Sequence, residues 1–84
     1  MFYYVYILRN ESGRLYIGYT ENVEQRVARH NAGEVFATKP YIPYKLIFYE
    51  AYTSMKDAKR REQYLKTAKG RTTIKTMLID TLTK

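Results

Sequence analysis

Residues Tyr3 to Thr20 read YYVYILRNESGRLYIGYT, two runs rich in Tyr, Ile, Val and Leu separated by Asn10, Glu11, Ser12 and Gly13. Aromatic and β-branched residues suit a pleated, half-buried strand and Asn, Ser and Gly interrupt one, so the stretch predicts a hairpin. If Glu11, Ser12 and Gly13 form a three-residue loop, Gly13 supplies the left-handed backbone needed at its last position. Asn10 then faces Arg14, Leu8 lies opposite Tyr16, and Tyr6 lies opposite Gly18. Side chains two apart share a face, so Tyr6, Tyr16 and Gly18 fall together and Gly18 leaves a notch beside Tyr6. Read on residues alone, the tyrosines are equally plain strand formers and Gly18 a bulge.

The 84 residues predict one domain, 1–84, with a small core. The chain has no cysteine, which removes disulfides and thiolate metal sites and fits a reducing interior. There is no apolar run of membrane-spanning length and no basic-then-apolar leader, so the expectation is a soluble, cytoplasmic protein without membrane contact. Fifteen Lys and Arg against eight Asp and Glu leave a formal charge of +7. A polyanion is the natural partner for such a surface, held by salt-dependent phosphate contacts; a merely solvated basic surface is the competing account.

After the hairpin, Asn22 with Gln25 three residues on predicts a capped helix that ends at Gly33. Val23 and Val27 mark its buried stripe, Arg26 and His30 flank it, and Gln25 and Arg29 project further out. Residues 34–44 contain Pro40 and Pro43 and read as a loop, in which Thr38, Lys39 and Tyr41 are candidates for contact with a phosphate backbone or a base. Lys45 to Tyr52 is a third strand, with Leu46, Ile47 and Phe48 suggesting burial on both faces. Ser54 with Asp57 opens a second helix whose stripe runs through Met55, Ala58 and Leu65, with Glu62 among them; Gly70 is expected to stop it. A last helical stripe, Ile74, Met77, Leu78 and Leu82, closes the core. An ionised Glu62 facing the core needs a partner, either a salt bridge to Arg26, Lys59 or Lys66, or a cation.

Tyr4-Val5-Tyr6, a gap of about ten residues, and Tyr16-Ile17-Gly18 resemble the paired triads of the GIY-YIG nuclease family, within a small single-domain subgroup related to the nuclease half of a bacterial excision-repair incision subunit. The first triad carries Tyr4 for Gly and Val5 for Ile, both compatible with a strand, and keeps the tyrosine. Arg26 matches the family arginine on the first helix, His30 a position one turn later, and Arg61-Glu62-Gln63-Tyr64-Leu65-Lys66 the setting of the metal-binding glutamate. The resemblance implies an α+β fold, a three-stranded antiparallel sheet flanked by helices, with Tyr6, Tyr16, Arg26 and Glu62 on one concave patch.

It also implies hydrolysis of DNA phosphodiester bonds with one divalent ion, Mg²⁺ or Mn²⁺, held by Glu62 and waters. Arg26 would grip a nonbridging oxygen. Tyr6 would act on the attacking water and Tyr16 would position the phosphate or the water; the choice of base among Tyr6, Tyr16 and His30 stays open. Gly18, Tyr19, Thr38, Lys39, Lys66, Lys69 and Arg71 are the expected nucleic-acid contacts. With no room for a separate recognition domain, structure-selective cutting or direction by a repair-protein partner is expected over sequence-specific cutting. The alternatives are a non-catalytic nucleic-acid-binding module and a structural adaptor.

Overall fold

Strand β1 (Tyr3–Asn10) is central, paired antiparallel with β2 (Leu15–Thr20) on one side and with β3 (Tyr44–Tyr52) on the other, and the sheet order is β2-β1-β3. A central strand covered on both faces has no polar side, which is why Val5, Tyr6, Ile7 and Leu8 are all buried. The structure is a computed structural model and describes residues 1–83. No helix in that range is long and apolar enough to cross a membrane.

The hairpin has the expected register, with Leu8 opposite Tyr16 and Tyr6 opposite Gly18. Gly13 has φ 88°, and the Asn10 side chain accepts from the Arg14 amide at 2.8 Å and from the Ser12 hydroxyl at 3.0 Å. A bulge lies where β3 passes Ile7 and Leu8, which pair with Phe48 and Leu46, so Ile47 is the extra residue. It turns Ile47 and Phe48 to one face and Leu46 to the other.

Helix α1 (Val23–Asn31) covers the Tyr6–Leu8 face, while α2 (Met55–Leu65) and α3 (Ala68–Met77) cover the Val5–Ile7 face. Asn22 and Ser54 cap their helices as expected, accepting from Gln25 at 3.0 Å and Asp57 at 3.3 Å. Helix α1 closes with Gly33 at φ 77°, its amide on the His30 carbonyl and the Glu34 amide on the Arg29 carbonyl. Ala58, Leu65, Ile74 and Leu78 complete one core with Val5, Ile7 and Ile17. Each fully buried Leu or Ile there contributes on the order of 1.5–3 kcal/mol.

Several boundaries differ from the sequence reading. Gly70 does not stop a helix: α2 ends at Leu65, and Thr67 caps α3 by accepting from the Gly70 amide at 3.0 Å. Gly70 is buried within the first turn of α3, where a side chain would run into the Tyr64 carbonyl and Leu65 Cα, so glycine is there for close approach. The last helical stripe therefore begins earlier, at Ala68, and a short turn of helix, α4 (Ile79–Leu82), follows it. Met55 is 39% exposed and outside the buried stripe.

Candidate active site

The register of the hairpin builds this site first. Tyr6 faces Gly18, and its ring fills the space that a side chain at position 18 would take. Tyr16 lies on the same face, its ring 6.3 Å from that of Tyr6. From the last turn of α1, His30 stands edge-on to both, 5.7 Å from Tyr6 and 4.9 Å from Tyr16. Its Nε2 is 2.7 Å from the Tyr6 hydroxyl, and its Nδ1 is 2.7 Å from the Thr38 hydroxyl. Arg26, one helical turn before His30, donates from Nε to the Tyr6 oxygen at 3.4 Å.

Thr38 reaches His30 because the 34–44 segment is tied down at both ends. Asn31 accepts from the Tyr44 amide at 2.7 Å and donates to the Tyr44 carbonyl at 2.9 Å, fastening the end of α1 to the start of β3. Asn10 donates to the Tyr41 carbonyl at 3.1 Å, and the Arg14 guanidinium lies 3.8 Å over the Tyr41 ring. Tyr6, His30 and Thr38 are all fully buried.

Burial pushes the Tyr6 hydroxyl up to about 12, against the opposing hydrogen bond from Arg26, with Tyr16 and Glu62 adding to the rise. Burial, with the charges of Arg26 and Arg29, pushes His30 down to about 4. Its bond to Tyr6 holds the Arg26 guanidinium above its ordinary value. At neutral pH the cluster is a neutral phenol and a neutral imidazole beside a permanent cation.

Because His30 is depressed in the folded state from 6.5 to about 4, its contribution to stability is complete above pH 6.5 and is lost as pH falls toward 4. At 1.36 kcal/mol per tenfold change in proton affinity, the intact protein should lose about 2 kcal/mol from this group between pH 7.5 and 5. Urea melts of the intact protein and His30→Gln at both values check this. An equal loss in the two proteins would contradict a buried, neutral His30.

A family model described as the GIY-YIG catalytic domain matches residues 2–75. The chain belongs to the GIY-YIG family. It is 46% identical over 66 residues to a UPF0213 protein of Staphylococcus haemolyticus, covering 77% of this chain and 80% of that one. A UPF0213 protein of Clostridium perfringens is 39% identical over 64 residues, covering 75% and 69%. The solution NMR structure of a UPF0213 protein from Bacillus halodurans superposes with a TM-score of 0.57 at 30% identity, covering 92% of this chain and 85% of that one. The three-stranded antiparallel sheet flanked by helices is thus shared with a solved relative.

Four of the five residues that the GIY-YIG motifs single out, Tyr6, Tyr16, Arg26 and His30, meet directly. Glu62 does not join them by a hydrogen bond. It projects from α2, whose buried residues pack on the Val5–Ile7 face, and its Oε2 is 2.9 Å from Lys66 Nζ. Its charge nevertheless acts on the Tyr6 hydroxyl. The helices that carry them pack on opposite faces of the sheet, α1 with Arg26 and His30 and α2 with Glu62, and α2 reaches the β2 edge, where Lys59 lies over the Tyr19 ring. Among the described residues no three His, Cys, Asp or Glu side chains cluster as metal ligands. The carboxylate of Glu62, with its side chain 15% exposed, is the hard oxygen donor a divalent ion could use, the rest coming from water and substrate.

Two expected nucleic-acid contacts lie inside the fold instead. Gly18 is buried under the Tyr6 ring, and the Thr38 hydroxyl is committed to His30. Tyr19 is half-buried, stacked on Tyr3 with Lys59 above it, and its hydroxyl is buried without a hydrogen-bond partner among the described residues. Lys39, Lys66, Lys69 and Arg71 are exposed, Lys66 being the one that pairs with Glu62. A cleft of about 380 Å³ opens beside Arg26, lined by Tyr19, Thr20, Glu21, Gln25 and Arg29. The sequence signal for Arg29 was its place one turn after Arg26, but the turn of chain at Thr20 and Glu21 that forms the opposite wall had none. A larger hollow of about 620 Å³ by Tyr4 and Tyr49 is rimmed by Glu21 and Glu24, which suits no phosphate.

Proposed function

We propose that this chain is a single-domain, metal-dependent endonuclease that hydrolyses DNA phosphodiester bonds, structure-selective or partner-directed in repair or recombination. The observation that carries the reading is Arg26, a permanent cation at the mouth of a cleft, bonded to a tyrosine that is itself bonded to a neutral histidine. Arg26 has the planar donors to grip a nonbridging phosphate oxygen, and the positive charge of the whole chain favours the approach of DNA.

Engaging a phosphate draws Arg26 from the Tyr6 oxygen. With Tyr6 held up to about 12, a free phenolate is a poor starting species, so the Tyr6–His30 pair serves as the base. Water loses a proton to the Tyr6 oxygen as Tyr6 passes its own hydrogen to His30 Nε2, and the resulting hydroxide attacks phosphorus. Tyr16, half-buried beside both, positions the water or phosphate. A divalent ion, Mg²⁺ or Mn²⁺, on Glu62 would polarise the phosphate and stabilise the leaving oxygen. The second reading, a nucleic-acid-binding module without turnover, is favoured by the existing Glu62–Lys66 pair, which leaves that carboxylate already partnered.

Incubating the protein with supercoiled plasmid and with flapped or branched duplexes tests the two. Nicking is expected with Mg²⁺ or Mn²⁺, abolished by chelator and weakened by salt. Salt-sensitive binding with no cleavage under any of these conditions would sink the nuclease and leave the binding module.

A further inference from the structure

The buried groups around His30 form a chain of hydrogen bonds with a direction. At one end stands Arg26 Nε, which can only donate, to the Tyr6 oxygen at 3.4 Å. At the other stands the Val35 carbonyl, which can only accept, 3.4 Å from the Thr38 hydroxyl. Between them are two contacts of 2.7 Å, Tyr6 to His30 Nε2 and His30 Nδ1 to Thr38. Each hydroxyl has one hydrogen, and the neutral ring has one N–H. One arrangement satisfies every member: Arg26 donates to Tyr6, Tyr6 to Nε2, Nδ1–H to Thr38, and Thr38 to the Val35 carbonyl. With the proton on Nε2 instead, the Tyr6 hydrogen would have no acceptor among its hydrogen-bonded neighbours in the described residues and would point at the Arg26 N–H. Tyr6, His30 and Thr38 are fully buried, and a buried donor without a partner costs about 1–3 kcal/mol.

We infer that Thr38 is a positioning residue: by accepting from His30 Nδ1 while donating to Val35, it holds the imidazole in the Nδ1–H form and keeps the Tyr6 oxygen an acceptor toward the Arg26 cleft. This rests on the nuclease reading for its consequence, since Tyr6 turned the other way cannot take a proton from water. The tautomer itself does not depend on that reading.

His30 is the chain's one histidine, so its ring nitrogens give an unobstructed ¹⁵N signal. In the intact protein and in Thr38→Ser, Nδ1 is expected to be protonated and Nε2 bare. Thr38→Val, which keeps the shape and removes the hydroxyl, should move the proton to Nε2 or mix the two forms. Its kcat for nicking should fall about tenfold to a hundredfold, as when the group orienting a functional histidine is removed, with KM unchanged, and Thr38→Ser should stay within about threefold of the intact protein. An Nε2–H form in the intact protein, or Thr38→Val with the Nδ1–H form and full kcat, would overturn the inference. Should Thr38→Val fail to fold, the tautomers of the intact protein and of Thr38→Ser decide the matter. The expected tautomers in a protein that nicks no DNA would uphold Thr38's role in holding the ring and overturn the nuclease reading instead.

Discussion

Glu62→Ala, purified in parallel with the intact protein, is expected to lose at least about a thousandfold in metal-dependent nicking. A bound divalent ion supplies several kcal/mol of charge stabilisation, and at 1.36 kcal/mol per tenfold about 4 kcal/mol accounts for that loss. The fold should not be the cause. Among the described residues Glu62 pairs only with Lys66, four residues on at the end of the same helix, with side chains 15% and 42% exposed. Such a pair contributes about 0.3–0.5 kcal/mol, reduced further by solvent screening, so the thermal midpoint should barely move. Because Glu62 shares no hydrogen bond with Tyr6, Tyr16, Arg26 or His30, the variant leaves their contacts with one another intact and DNA binding should persist. Equal nicking by both proteins would point to a contaminating nuclease or to a different carboxylate.

The substitution of Gly18 by Ala should strike both stability and activity. A Cβ there would overlap the Tyr6 hydroxyl and ring carbons. Tyr6 cannot swing aside cheaply, since it is fully buried, packed against the Tyr16 and His30 rings and bonded to His30. Either the two strands part or the hydroxyl leaves Nε2. Overpacking of this kind costs about 1–3 kcal/mol, and a displacement of about 1 Å at a reacting group costs about a hundredfold in rate. Urea melts, with nicking measured where the variant is still folded, check both parts. A Gly18→Ala protein of unchanged stability and full activity would show that the Tyr6 position is not set by this notch.

The legible parts of the molecule were those governed by near neighbours in sequence. Asn10 and Gly13 specify the turn, the period of two then carries Tyr6 to Gly18 and Leu8 to Tyr16, and Asn22 and Ser54 announce their helices. Arg26 and His30, one turn apart on a helix, were bound to share a side of it. Each of these rests on steric limits or hydrogen bonds within a few residues. The period of a helix also fails locally where tertiary contact overrides it: Met55 matched the stripe but lies at the exposed first turn of α2, and Gly70 looked like a stop because close packing between successive helices is invisible to composition.

What the sequence by itself determined is therefore the hairpin register, the three strands, the caps and the motif that places the chain in its family. The tertiary structure alone decided that Glu62 pairs with Lys66, that His30 is buried and neutral, and that Thr38 turns inward to hold it. The physical reason is range: Tyr6 meets His30 across 24 residues, and Thr38 is carried to the ring only once Asn31 has pinned Tyr44 and Asn10 has pinned Tyr41, 13 and 31 residues away. No local propensity encodes those closures, which are fixed by burial and hydrogen-bond satisfaction over the whole fold.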